Sequence, residues 1–301
     1  MEFIAVILIF ISACLHITWN YFNKEGIKDT VSWIIICVVE VLVSCPFLFI
    51  YREYIPNLLP LWPLLLVSFF ASAMQTWALN TAYRYGDYTV VYPVKNALPI
   101  VFTAIATFAL GIGANVTIWG YMGYLLIILG CFLFPIQNFR NFSFKNYLNL
   151  GIIYTILAAL GSCIYSIVDK EAMKLFLKSS PGLSSIGASL VYIPLLYICI
   201  AVFLIPFAII DRYAFKIDFS NIKFKWTNII CVAVFSSAAY ALVLIALTHA
   251  ANAGYIVAFR QIGIPLSFIF GYFLLKEKIY IGKILGVIPI ILGLIILACC
   301  K

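Results

Sequence analysis

Apolar residues run along this chain in long continuous stretches, not in alternation. Charges and turn residues divide it into ten such segments, at roughly 3–22, 32–50, 61–83, 89–110, 117–136, 150–168, 187–209, 227–248, 254–275 and 281–300. Each comes close to the about 20 residues a helix needs to cross the hydrocarbon core of a bilayer. Short polar links lie between them at Lys24 to Asp29, Tyr51 to Tyr54 and Arg84 to Asp87. Longer ones are Gln137 to Asn149, Asp169 to Gly182 and Asp211 to Lys225. A transmembrane barrel would alternate polar and apolar positions along each strand. Here the whole stretch from Asn96 to Phe139 carries no charged residue. The pattern predicts an all-α integral membrane protein with ten transmembrane helices.

Composition supports this and removes alternatives. Of 301 residues, 65% are hydrophobic and 10% charged, against about 45–50% and about 25% in soluble domains. So few charged side chains cannot cover a soluble surface of this size, which excludes a water-soluble globular enzyme; the mean hydropathy is +1.11. A formal charge of +8 would suggest nucleic acid in a soluble protein. In a membrane protein, basic residues in short loops set orientation instead, so no nucleic-acid partner is expected. All nine cysteines, from Cys14 to Cys300, fall in apolar runs. They read as small hydrophobes, with no disulfide framework, metal site or cofactor implied. Ile11-Ser12-Ala13-Cys14 resembles a lipoprotein cleavage site, but Glu2 precedes it and no Lys or Arg does. A signal peptide begins positive, so an uncleaved first helix is expected. Trp33, Trp62, Trp119 and Trp226 sit near segment ends, where amphipathic rings favour the headgroup layer.

An internal repeat is visible. Ala78-Leu79-Asn80-Thr81-Ala82 matches Ala246-Leu247-Thr248-His249-Ala250, closing the third and eighth segments. The next segment of each half then carries a basic residue before a proline: Lys95 and Pro99, then Arg260 and Pro265. Gly123 and Gly130 match Gly286 and Gly293. The expectation is one membrane domain of two five-helix repeats, residues 1–140 and 141–301. Because five is odd, the second half must insert upside down relative to the first, a plan common in secondary transporters.

Several stretches resemble a ten-helix permease of the drug/metabolite transporter superfamily, EamA type. They are His16-Ile17-Thr18-Trp19-Asn20 in the first segment and Tyr92-Pro93 with Lys95 and Pro99 in the fourth. Others are Tyr165-Ser166-Ile167-Val168-Asp169 in the sixth and Leu275-Lys276-Glu277 after the ninth. The first half departs from the pattern, with Gly111-Ile112-Gly113 where the second has Lys276-Glu277. The resemblance implies a transporter fold in a bacterial or archaeal plasma membrane, with both termini in the cytoplasm. The distribution of Lys and Arg points the other way, since most lie in links after odd-numbered segments, and the positive-inside rule then puts both termini outside.

Three charges fall inside predicted spans: Glu40, Lys95 and Arg260. Lys283 begins the tenth span and reaches the headgroups. A charge at the bilayer centre costs about 2.5–3.5 kcal/mol on the mildest scale, so such residues face a cavity or pair with one another. Lys95 and Arg260 are candidates to attract a substrate anion; a Glu40–Lys95 ion pair, or basic groups snorkelling to the interface, is the structural alternative. Glu40 and His16 are candidates for proton coupling, against a purely structural pair or a hydrogen-bonded core histidine. Trp19, Asn20, Gln75, Trp77, Asn80, Tyr83, Tyr92, Asn96, Tyr165, Tyr240 and Gln261 form a second group. Amides and phenols inside spans need partners in hydrocarbon, and a cavity built from them would bind a polar metabolite between aromatic walls. Their concentration near the ends of spans 3, 4, 8 and 9 is the informative feature. Pro93, Pro99, Pro194, Pro206, Pro265 and Pro289 each remove a backbone donor and can kink a span. Gly282 and Gly286 permit close helix contact, within the fold or between copies, so the expected state is a monomer or weak homodimer.

The leading function is a secondary transporter, not an enzyme, moving a small polar or amphipathic metabolite across the bilayer by alternating access. Two interior positive charges against one negative favour a substrate bearing carboxylate or phosphate. No nucleotide-binding loop appears. A flippase for a lipid-linked substrate shares the fold, and an intramembrane lipid enzyme is the remaining alternative.

Overall fold

The computed structural model describes residues 2–23, 29–113, 115–136, 150–219, 225–273 and 279–299. They fold into helices only: α1 Phe3–Asn23, α2 Thr30–Ile50, a 3-10 stretch Arg52–Leu61, α3 Trp62–Tyr85, α4 Tyr88–Leu110 and α5 Ile118–Leu133. There follow α6 Leu150–Ser179, α7 Ser185–Tyr213, α8 Trp226–Thr248, α9 Ala253–Phe259, a 3-10 turn Arg260–Ile262, α10 Gly263–Phe273 and α11 Ile281–Cys299. Among the described residues, nine helical stretches are long and apolar enough to cross a membrane, with α9, the 3-10 turn and α10 together making one span. The shorter apolar helix α5 has 16 residues. This is an all-helical architecture compatible with a membrane-embedded protein. Phe3, Phe49, Phe108 and Ile118 are among many large apolar side chains turned outward, as a lipid-facing surface requires.

Side-chain caps start several helices. Asp29 Oδ1 accepts from Ser32 N at 2.7 Å, Thr117 Oγ1 from Gly120 N at 3.2 Å, Ser184 Oγ from Gly187 N at 3.1 Å and Asn252 Oδ1 from Gly254 N at 2.8 Å. Each satisfies an amide that the first helical turn leaves without a partner. Gly111 ends α4 in the left-handed conformation, φ 63°, where only glycine is unstrained.

Contacts between span ends define two faces. On the face where α1 begins, Glu2 meets His249 at 2.8 Å, Asn57 donates to Ser180 at 3.0 Å, and Thr117 N donates to the Tyr255 hydroxyl at 3.4 Å. On the opposite face, Asn228 donates to Phe22 O at 3.1 Å and Arg84 pairs with Asp211 at 3.3 Å. Each span therefore reverses the direction of the one before it. The principal helix pairs are α3 with α6, α5 with α11, α1 with α8, α2 with α7 and α4 with α6.

The α5–α11 pair is closed by glycines. A Cβ on Gly130 would lie 2.5 Å from Gly286 O, and one on Gly293 would lie 2.6 Å from Gly123 O. Gly282 and Gly286 abut Ile136 and Phe134 of the same chain, so the Gly282–Gly286 spacing serves packing within the fold.

Three expectations are corrected. The sixth span does not end near 168: α6 continues through Asp169-Lys170-Glu171 to Ser179. These charges do not stop the helix because two of them have interior partners: hydroxyls surround Asp169, and Lys170 Nζ donates to Ala250 O at 2.6 Å. Likewise α7 runs on to Tyr213 and buries Asp211. The ninth span is not one continuous helix, since it tightens into a 3-10 turn at Arg260–Ile262, directly before Gly263 and three residues before Pro265. The Lys276-Glu277 signature lies outside the described residues, as do the 137–149 link and Cys300. The other eight cysteines are free, and Cys14 and Cys299 are exposed, so not all of them serve as buried hydrophobes.

Candidate functional site

The interior polar groups gather around two acids and two bases. Asp169 of α6 is fully buried. Its Oδ1 accepts from Tyr192 of α7 at 2.6 Å and from Ser68 of α3, and its Oδ2 accepts from Tyr240 of α8. Four helices thus meet at one carboxylate whose partners are all neutral hydroxyls. Tyr165, one turn before Asp169 on α6, stands edge-on to Tyr240 with ring centres 6.0 Å apart. The Tyr165 hydroxyl accepts from Arg260 Nη1 at 3.2 Å, so two tyrosines separate Arg260 from Asp169.

Glu40 lies near mid-span on α2 and is 2% exposed. Its carboxylate accepts from Ser236 of α8 at 2.5 Å and hydrogen-bonds Tyr197 and Cys37. The alternative of a Glu40–Lys95 ion pair is therefore not what forms. Both acids are enclosed and supplied with donors, as buried polar groups must be.

The bases are placed differently. Both are only half-buried, and among the described residues no carboxylate pairs with either; the ion pairs there are Arg84–Asp211, Lys174–Glu171 and His249–Glu2. At about 1.5 Å per residue, Arg260 lies about 10 Å into its span from the α1-start face, and Lys95 about 10 Å into α4 from the opposite face. The two act on each other electrostatically, and both act on His16 of α1. His16 Nδ1 accepts from Trp19 Nε1 at 2.8 Å. An indole nitrogen only donates, so the His16 hydrogen sits on Nε2. That nitrogen is sealed from solvent and has no acceptor among the described residues. Three donor groups thus gather where no described carboxylate touches any of them.

The remaining expected residues divide. Gln261 follows Arg260 in the 3-10 turn and donates to Val257 O at 3.4 Å. Asn96 donates back to Tyr92 O at 2.9 Å, and the Tyr92 ring packs on Phe134 at 5.9 Å. Gln75 sits where α3 touches Gly161 of α6. Asn20 and Tyr83 are exposed. Trp77 belongs to a separate cluster on the far face, where its Nε1 donates to Asp211 at 3.0 Å. Asp211 is fully buried and also receives Thr30 Oγ1 at 2.5 Å and Arg84 at 3.3 Å. The expected concentration at the ends of spans 3, 4, 8 and 9 is two places, not one. The 3–4 corner and the 8–9 corner are five spans apart, and an odd separation puts them on opposite faces.

Sequence reasoning missed Asp169, Ser68 and Tyr192. Asp169 was read as the start of a polar link, although Tyr165 and Asp169 are four apart and share one helix face. Ser68 and Tyr192 give no signal until the fold brings α3 and α7 to α6. Asp169 also changes the charge count: the interior holds two acids and two bases, so a surplus of positive charge no longer argues for an anion. What separates the two kinds of charge is their partners: the acids are 0% and 2% exposed and hydrogen-bonded by hydroxyls, whereas the bases are half-buried and in no ion pair among the described residues.

Packing is tighter toward the face where α1 begins. There Ala5, Ile9, Ser12 and Ala13 of α1 and every residue of α9 are buried. Further along the same two spans, Leu15 to Trp19 and Arg260 to Gly263 are only half-buried. Along these two spans the interior is thus more fully packed toward the α1-start face and looser further in. Among the described residues no group of three metal-ligating side chains occurs.

Neither a family model nor a curated protein sequence matches this chain. Among solved structures, 28 chains match. One crystal structure superposes with a TM-score of 0.73 over 97% of this chain and 96% of its own, at 11% identity. At that identity the likeness shows the fold alone, and it extends over nearly the full length of both chains.

Proposed function

We propose that this chain is a secondary transporter, a ten-span permease of the drug/metabolite transporter type that carries a small carboxylate- or phosphate-bearing metabolite by alternating access. The observation that carries the reading is the placement of Lys95 and Arg260. They come from matching spans of the two halves, sit about one third of the way in from opposite faces, and among the described residues neither is in direct ion-pair contact with a carboxylate. An interior cation with no directly paired carboxylate is costly, and a charged ligand that binds there offsets the cost.

The helix pairing supports two inverted halves, residues 1–140 and 141–301. Exchanging each span with the one five later turns α1–α8 into α6–α3 and leaves α2–α7, α5–α11 and the fourth–ninth pair unchanged. The same exchange carries the Gly123–Gly293 contact into Gly286–Gly130. Since α1 and α6 begin on opposite faces, the halves are upside down relative to one another. Rocking one half on the other would transfer the loose interior from one face to the other.

Counterflow tests the proposal. The full chain is reconstituted in liposomes preloaded with unlabelled benzoate, lactate or phosphate, and entry of the same labelled anion is followed. Accumulation of at least one anion, without exchange of choline, is the expected result. Exchange of choline and of none of the anions would overturn the anion reading.

A further inference from the structure

We propose that Asp169 is the proton-binding site that couples anion movement to protons, making the transporter an anion–proton symporter. The inference rests on the transport reading above and adds the coupling ion and the group that binds it.

The argument starts from hydrogen-bond capacity. An ionised carboxylate only accepts, and all three hydroxyls at Asp169 can donate to it. That arrangement is complete with Asp169 charged. A proton on Asp169 turns one of the hydroxyls into an acceptor. Ser68 and Tyr192 are buried, whereas Tyr240 is half-buried, so Tyr240 is the one donor in touch with the looser interior and provides the route for the proton.

The counter-charge is the second step. The groups that act on Asp169 are Ser68 of α3, Tyr192 of α7, Tyr240 of α8 and Arg260 of the ninth span. On α6 itself, Tyr165 stands between Tyr240 and Arg260, and Lys170 is turned to the Ala250 carbonyl. Among the described residues, α4 and the 3-10 stretch before α3 contribute no charged group to Asp169. Arg260 is therefore the positive charge that balances Asp169 when the site is empty. An anion on Arg260 uses that charge, and Asp169 then recovers neutrality by taking one proton from the water of the open side. When the anion leaves on the other side, Arg260 again balances the carboxylate and the proton departs with the anion. Binding of either partner favours the other, because linkage is reciprocal.

The test uses the purified full chain in weak buffer, with benzoate as the probe and sulfate as a phosphate-like dianion that does not itself titrate near neutrality. Proton uptake on probe addition is read with a pH dye, and affinity is measured as pH is varied. The wild type should take up protons as it binds, with affinity rising by up to about tenfold for each unit that pH falls. Asp169→Asn should still bind the probe, with proton uptake lost and affinity flat against pH. Tyr240→Phe keeps the Ser68 and Tyr192 bonds to Asp169, so it tests the idea even where Asp169→Asn does not fold; it should bind the probe and take up the proton more slowly in stopped flow. Binding with no proton exchange in the wild type overturns the coupling and leaves the transport reading standing. Proton uptake that persists in Asp169→Asn, or is equally fast in Tyr240→Phe, also overturns it. Failure of both probes to bind removes the anion site itself, and the coupling with it.

Discussion

Replacing Arg260 by alanine separates a ligand-binding cation from a structural one. Among the described residues the guanidinium hydrogen-bonds the Tyr165 hydroxyl, at 3.2 Å. Asp169 loses a counter-charge that does not touch it and keeps its hydrogen bonds from Ser68, Tyr192 and Tyr240. Loss of one hydrogen bond between a charged group and a neutral one costs about 1.5–3 kcal/mol at most, and removing an interior charge without a directly paired carboxylate offsets it. The melting temperature should therefore stay close to that of the wild type. Binding behaves differently. A bound carboxylate loses its charge-assisted partner, about 1.5–3 kcal/mol, which is roughly a 10- to 150-fold weaker Kd at about 1.4 kcal/mol per decade. Arg260→Lys restores the charge without the planar fork and should fall between the two. Calorimetry with benzoate gives Kd, and thermal unfolding of the same preparations gives stability. An unchanged Kd in Arg260→Ala, or a collapse of the melting temperature with it, refutes the assignment.

Arg84→Ala should show the opposite profile: Asp211, fully buried, loses its cation and keeps only Thr30 and Trp77. Breaking a buried pair costs about 3–5 kcal/mol, reduced here because the Arg84 side chain is 23% exposed, so the melting temperature falls while benzoate affinity per folded molecule does not. Gly130→Ala places a Cβ 2.5 Å from Gly286 O and from Ile290 Cγ1; overpacking of this kind costs about 1–3 kcal/mol, read as a lower melting temperature. Glu40→Gln keeps an acceptor for Ser236 and should fold and exchange anions like the wild type. Glu40→Ala leaves Ser236 its Val232 carbonyl but deprives the buried Tyr197 of its carboxylate partner, at about 1–3 kcal/mol. A severe transport defect in Glu40→Gln with normal folding would show that Glu40 itself titrates during transport.

The helices were legible because length and hydropathy bear on each span separately. A lipid-crossing segment must be long, apolar and internally hydrogen-bonded, and these are properties of consecutive residues. Boundaries failed where a charge has a tertiary partner. Asp169, Lys170 and Asp211 look like the polar end of a span until Ser68, Tyr192, Ala250, Thr30 and Trp77 arrive from 23 to 181 positions away. The interruption of the ninth span was hidden for a related reason. Pro265 is compatible with an early position in a fresh helix, α10, as well as with a kink in a continuous one, and the local sequence does not choose.

For the site, the sequence identified the cations and overlooked the acid that answers them, and the difference between the two buried aspartates follows from their partners. Asp211 is held by a cation and an indole besides the Thr30 hydroxyl, and water replaces the first two at a cost in charge and buried aromatic area. Asp169 is held by three neutral hydroxyls, and a neutral hydroxyl exchanges for water at little net cost, about 0.5–1.5 kcal/mol per bond. In the proposed cycle the closed face must open, which separates α3, α7 and α8 from α6 at Asp169. A carboxylate clasped by hydroxyls can let them go and become hydrated, and it can stay clasped when protonated. The Asp211 corner has less freedom, since opening it separates a buried carboxylate from a guanidinium. In the proposed cycle the Asp169 side, where Arg260, Tyr165 and the 3-10 turn lie beside it, would therefore be the easier of the two to open, and the Asp211 corner the costlier.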